Sequence, residues 1–211
     1  MRSRKKEGNN KLNALKKINR GLLVTLLVVL AVGIYLLINE MIRAGDRTAI
    51  QEMLESYVPA EAQLYTVSRE QTSESYDEMS EAERNALIDA TSSKLAPYFV
   101  NQPDALRSAA ETIARTVYQR QGLWIDSVDS RILKLSSFTF NGSAASVKAK
   151  IQMEFEGSPY YISGQTAEQT FSERREYETT FILQKEDGEW KLFYSSGLPL
   201  TISNAYDIAY Q

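Results

Sequence analysis

Neither histidine nor cysteine occurs anywhere in this chain of 211 residues, and that decides which chemistry is open to it. Without histidine there is no side chain suited to proton transfer at neutral pH and no imidazole metal ligand. Without cysteine there is no thiolate nucleophile, no thiolate-held metal and no disulfide framework. Triads and zinc sites are excluded, and no catalytic residue, cofactor or metal is assigned. Carboxylate, tyrosine and lysine chemistry remains. The acid to weigh is Glu173, which shares strand parity with Tyr177 and Phe181 and has Arg175 beside it, because a carboxyl in an apolar pocket can act as a base. The expectation adopted is plainer: this end of a long strand projects beyond the helices and leaves Glu173 and Arg175 as a solvated pair worth little. Lys148 and Lys150 fall on the outer parity of their strand and are expected to face solvent. Of the many aromatics, most belong to a core. Tyr160 and Tyr161 stand in a loop, and Phe193 has the parity opposite to Trp190 and Tyr194, so these three are the candidate interface residues.

The elements that position such groups begin with Gly21 to Asn39, a run without formal charge. As a helix it is roughly 28 Å long, close to the ~30 Å apolar thickness of a bilayer. A cleaved signal peptide is the rival reading. Against it stand a long basic region, a long apolar run and no small-x-small site at Glu40-Met-Ile-Arg43. Arg2, Arg4, Lys5, Lys6, Lys11, Lys16, Lys17 and Arg20 precede the span against the single acid Glu7, so the N-terminus is expected in the cytosol of a single-pass plasma-membrane protein. From residue 21 onward the chain carries 16 Lys+Arg against 26 Asp+Glu, a balance that argues against nucleic-acid binding by an extracytoplasmic domain. The organisation expected is a basic tail (1–20), the span (21–39), a juxtamembrane helix and linker (40–80), an outer domain (81–197) and a C-terminal tail (198–211).

Ile50, Met53, Leu54 and Tyr57 form the stripe of a short helix that Pro59 is expected to close. The stretch 66–80 has little apolar content and reads as a loop. Ser80 and Glu83 have capping-box spacing, opening a helix whose inner face is expected at Ala82, Leu87, Ile88, Leu95 and Tyr98, with its end near Pro97. A second helix comes next, with Asn101 as N-cap, apolar Leu106, Ala110, Ile113, Ala114 and Val117, and Gly122 as its stop. Beyond Gly122 the period changes to two. Strands are expected over Ile132 to Phe140, with a bulge near Ser136-Ser137, and along the faultless alternation Val147, Ala149, Ile151, Met153, Phe155. A third strand carries Phe171, Tyr177, Thr179, Phe181 and Leu183 on one face, and a fourth, Glu189 to Ser195, carries Trp190, Leu192 and Tyr194. Asn141-Gly142 and Asp187-Gly188 supply the hairpin turns. The fold class is α+β: a helical pair packed on a curved antiparallel meander.

The late hairpin ETTFILQKEDGEWKLFYSSG (Glu178 to Gly197), with its long strand, Asp-Gly turn and E-W-K-L strand, resembles the nuclear transport factor two-like superfamily, a cone of helices against a curved sheet. With the basic tail and one span added, the chain is similar to the VirB-eight family of type IV secretion and conjugation assembly proteins and their TcpC-type relatives. That resemblance implies a non-enzymatic scaffold acting through contacts with other membrane subunits and through homo-oligomers. The alternative is a domain that binds or senses a small apolar molecule in the cone cavity.

Overall fold

The computed structural model describes residues 20–66, 68, 75–118, 123–159 and 171–195. The chain divides into two units, Met1–Asp46 and Arg47–Gln211.

Helix α1 spans Arg20–Gln63. In the first unit its large apolar side chains from Val24 to Ile42 are 49% to 75% exposed, the surface expected of a helix whose partner is lipid. Pro59 does not close the helix, contrary to the sequence expectation. It sits inside, on an exposed position, and is followed by Ala60-Glu61-Ala62-Gln63, all good helix formers. Closure comes from tightened bonds, Leu64 N–H to Glu61 O (2.9 Å) and Tyr65 N–H to Ala62 O (3.0 Å), and from the Thr66 hydroxyl on Gln63 O (3.0 Å). The reason is burial: Val58, Ala62 and Tyr65 continue the stripe of Ile50, Leu54 and Tyr57 into the core.

Helix α2 (Glu81–Leu95) opens on the capping box as expected. Ser80 Oγ accepts from Glu83 N–H (3.3 Å), and Glu83 Oε2 accepts from Ser80 N–H (2.8 Å). Its buried face is Ile88, Thr91 and Leu95, with Ala82 exposed and Leu87 only half-buried. Thr91 is admitted because its hydroxyl donates to Leu87 O (2.9 Å). A 3₁₀ turn, Ala96–Tyr98, absorbs Pro97. Helix α3 (Pro103–Tyr118) buries Ala110, Ile113, Ala114 and Val117. Gln102, not Asn101, immediately precedes the helix, and its carbonyl takes the first bonds from Ala105 and Leu106. The expected stop, Gly122, lies outside the described residues. Arg107 of α3 ties the pair to Asn85 (2.6 Å) and Asp89 (3.4 Å) of α2.

Strands β1 (Leu123–Asn141), β2 (Ala144–Pro159), β3 (Phe171–Glu186) and β4 (Glu189–Ser195) form one antiparallel sheet in chain order, the expected meander. β1 is longer than Ile132 to Phe140 because it tolerates three register shifts. The one between Ser136 and Thr139, with Ser137 at φ 54°, is the expected bulge. Another, between Ile132 and Lys134, makes Leu133 the extra residue, which turns it out to 40% exposure. Each shift flips the parity of the residues beyond it and sharpens the twist, so β1 bends around the helices. Val147, Ala149, Ile151, Met153 and Phe155 of β2 are all buried, as expected. The first hairpin turn is Gly142-Ser143, since Asn141 pairs with Ala144, and only Gly142 (φ 60°) takes positive φ. The second has Asp187 (φ 51°) and Gly188 (φ 89°) both positive, the demand of a twisted two-residue loop.

β4 has a covered edge. Phe99 bridges Leu192 in parallel, Val100 N–H donates to Leu192 O (3.0 Å), and Asn101 N–H donates to Glu186 Oε2 (3.0 Å). The segment between the helices thereby occupies backbone that would otherwise invite pairing with another strand.

Candidate functional site

On the inner side of the sheet, the end of α1 and the turn that closes it deliver three polar-tipped residues four apart in sequence: Tyr57, Glu61 and Tyr65, exposed 0%, 0% and 2%. The Tyr57 ring meets Tyr98, Phe99 and Phe181 edge-on, with centroids 5.5, 6.1 and 6.0 Å away. The Tyr65 hydroxyl donates to Glu61 Oε1 (3.3 Å). Further along, Gln63 Nε2 donates to Val128 O on β1 (2.8 Å), so the helix end crosses from β3 to β1. Burial raises the Tyr57 hydroxyl well above its ordinary pKa, and the charge of Glu61 adds to the effect. Sequence reasoning misses Glu61 because it comes two residues after a proline and looks like a solvated helix-end acid. The signal is present nonetheless, in an apolar stripe that continues at Val58, Ala62 and Tyr65. Fully enclosed, Glu61 meets no solvent-borne substrate in this conformation.

Glu173 and Arg175 share a face with Tyr177 and Phe181, and they pair with each other. They are not solvated as expected. Their side chains are 19% and 25% exposed, and Glu173 Oε2 is buried. Glu173 is in register with Phe155, which pairs with Val128, the residue whose carbonyl Gln63 reaches. The helix therefore reaches farther along the sheet than its expected stop at Pro59 allowed. The Glu173 charge is committed to Arg175.

The outer side is a polar lattice over most of its area. Lys150 pairs with Glu176 (2.5 Å), Arg174 with Glu154 (2.6 Å), Gln152 with Glu154 (2.6 Å) and Arg131 with Gln152 (3.1 Å). The hydrogen bond to Glu176 raises the Lys150 ammonium above its ordinary pKa. Lys148 is exposed and Lys150 half-buried on this outer parity. Gln152 departs from a wet outer face: it is 5% exposed because its neighbours close over it. Asp129, Ser130, Arg131, Gln152 and Glu154 line a depression of about 150 Å³.

Toward β4 the outer face turns apolar. Tyr194 was expected beside Trp190 and Leu192, which are buried, but a register shift pairs it with Ile182 and leaves Phe193 as the extra residue. Ile182, Phe193 and Tyr194 are 40%, 39% and 53% exposed. Of the three candidate interface residues, Phe193 lies in this patch, whereas Tyr160 and Tyr161 lie outside the described residues. Among the described residues no group of three or more acidic side chains is arranged to hold a metal.

The sequence matches no protein-family model and no curated protein. Among solved structures it resembles a Xanthomonas campestris protein assigned as a calcium/calmodulin dependent protein kinase II association domain. That match has a TM-score of 0.32 and 15% identity, and it covers 56% of this chain and 83% of the other. It also resembles the intermembrane space region of the chloroplast protein ARC6, with a TM-score of 0.34 and 21% identity over 56% of this chain and 87% of the other. At these scores the likenesses add nothing to the architecture that the strand order itself defines.

Proposed function

We propose that this chain is a non-enzymatic, single-span scaffold whose outer domain binds copies of itself and other membrane subunits of a cell-envelope machine. Its N-terminus lies in the cytosol and the domain outside the plasma membrane. The finer reading is a nuclear transport factor two-like domain in a conjugation or type IV secretion assembly of the VirB-eight or TcpC type, and it rests on the resemblance of the late hairpin combined with the basic tail and span. One observation carries the general reading: Ile182, Phe193 and Tyr194 put contiguous apolar surface on the outer face, while the inner face is filled by side chains that are themselves buried. Contacts between proteins suit such a molecule better than turnover does. Crosslinking in intact membranes tests it. Oligomers are expected from the wild type and are expected to fall at least several-fold in a Phe193→Ser/Tyr194→Ser chain. Recovery of monomers alone, with the transfer process intact after deletion of the chain, counts decisively against the reading.

A further inference from the structure

Tyr76 comes from a stretch with almost no apolar content, yet it is 3% exposed. It does not belong to the main core cluster. Its ring lies instead against the helical pair, with the guanidinium of Arg84 from α2 at 5.9 Å from its centroid and that of Arg115 from α3 at 5.3 Å. Both distances are within cation–π range. The turn that presents the ring is closed by Glu78 N–H on Ser75 O (3.0 Å) and runs directly into the Ser80 cap. Asp77 and Glu78 flank the ring and are exposed. Arg107 on the same helical pair is engaged with Asn85 and Asp89, and Arg115 also pairs with Glu111 (3.4 Å), so the guanidiniums at the tyrosine-centred turn are those of Arg84 and Arg115. One ring and two cation–π contacts are a small part of a domain's stability, and a turn held this way can detach without the domain unfolding.

We propose that the notch between α2 and α3, framed by Arg84 and Arg115, is a docking site for a tyrosine flanked by acidic residues. In the resting chain its own turn, residues 75–79, fills it; on release it takes the same turn from a second copy. The two guanidiniums against the ring select a tyrosine, and a second copy carries the one ligand the notch already fits. The exchange between copies rests on the self-association proposed above, while the ligand preference of the notch does not.

The full-length chain in detergent micelles tests the notch, with a fluorescein-labelled peptide of sequence SYDEMS (Ser75 to Ser80) as probe and anisotropy as readout. The Tyr76→Ala chain, its notch emptied, binds the peptide at least about ten-fold more tightly than wild type, where the tethered turn competes at an effective concentration of order millimolar. Binding is lost when the peptide tyrosine is replaced by alanine, or when Arg84→Gln and Arg115→Gln are added. Equal binding to wild type and Tyr76→Ala, or indifference to the peptide tyrosine, overturns the proposal. Should Tyr76→Ala lack a cooperative melt, proteolysis of Arg84→Gln/Arg115→Gln decides. Cleavage within 75–80 is expected to rise several-fold at unchanged melting temperature, and unchanged cleavage overturns the latch. For the exchange, mixing Tyr76→Ala with Arg84→Gln/Arg115→Gln is expected to give crosslinks between the notch of the first and residues 75–79 of the second that neither gives alone. Peptide binding without such cross-pairing sinks the exchange and keeps the notch; cross-pairing that survives Phe193→Ser/Tyr194→Ser shows that the apolar patch, not the notch, has failed.

Discussion

At Tyr57 burial and charge act together. Its hydroxyl ionises in the unfolded chain near pH 10 but later in the folded domain, because burial first, and the Glu61 charge second, disfavour the phenolate. Its contribution to stability is therefore complete below that unfolded value and is lost as pH rises toward the folded one. Thermal melts between pH 8 and pH 11 are expected to show wild type losing stability above about pH 10 more steeply than Tyr57→Phe, which keeps the ring contacts and has no proton to lose. Identical alkaline slopes for the two would mean that Tyr57 ionises as freely folded as unfolded. Phe193 belongs to this scale too: its outward parity is legible in the sequence, but Tyr194 joins it outside because a bulge is a property of two paired strands, and no single strand announces it.

Element boundaries are legible in the sequence wherever the signal is local. Ser80 and Glu83 name the start of α2 by type and spacing, and both bonds of the box form. Ser80→Ala is expected to cost about 1 kcal/mol in a denaturant titration at neutral pH. The Ser80 hydroxyl first, and the Ser80 backbone second, hold the Glu83 carboxyl below its ordinary range. That part of the cap is present above the unfolded pKa and fades as pH drops through the folded one, so the gap between wild type and Ser80→Ala narrows below about pH 4. Pro59 shows the opposite case. It removes a helix donor where the helix nonetheless continues, so Pro59→Ala, at an exposed position, is expected to gain about 1 kcal/mol or more. A loss on that substitution would mean that the proline's restriction of the unfolded chain outweighs the missing bond.

At the scale of the whole molecule, the first unit exposes apolar side chains from Val24 to Ile42, and the second buries a core of its own. Alkaline carbonate is expected to leave the full chain in the membrane pellet and to release a chain lacking residues 1–46 into the supernatant; recovery of the full chain in the supernatant would remove the anchor. The apolar run, the capping box, the alternation of β2 and the Asp187-Gly188 turn were all determined by the sequence alone, because each depends on residues within a turn or two of one another. Tertiary structure alone decided the rest. Glu61 is interior because α1 runs on across the sheet; Glu173 is largely withdrawn from solvent in its pair with Arg175; Leu133 and Tyr194 face outward because paired strands slip by one residue; and Tyr76 is buried because two helices place an arginine each against its ring. Except within that ion pair, the deciding partner is distant in the chain, and a period or a motif carries no information about a neighbour that only folding brings near.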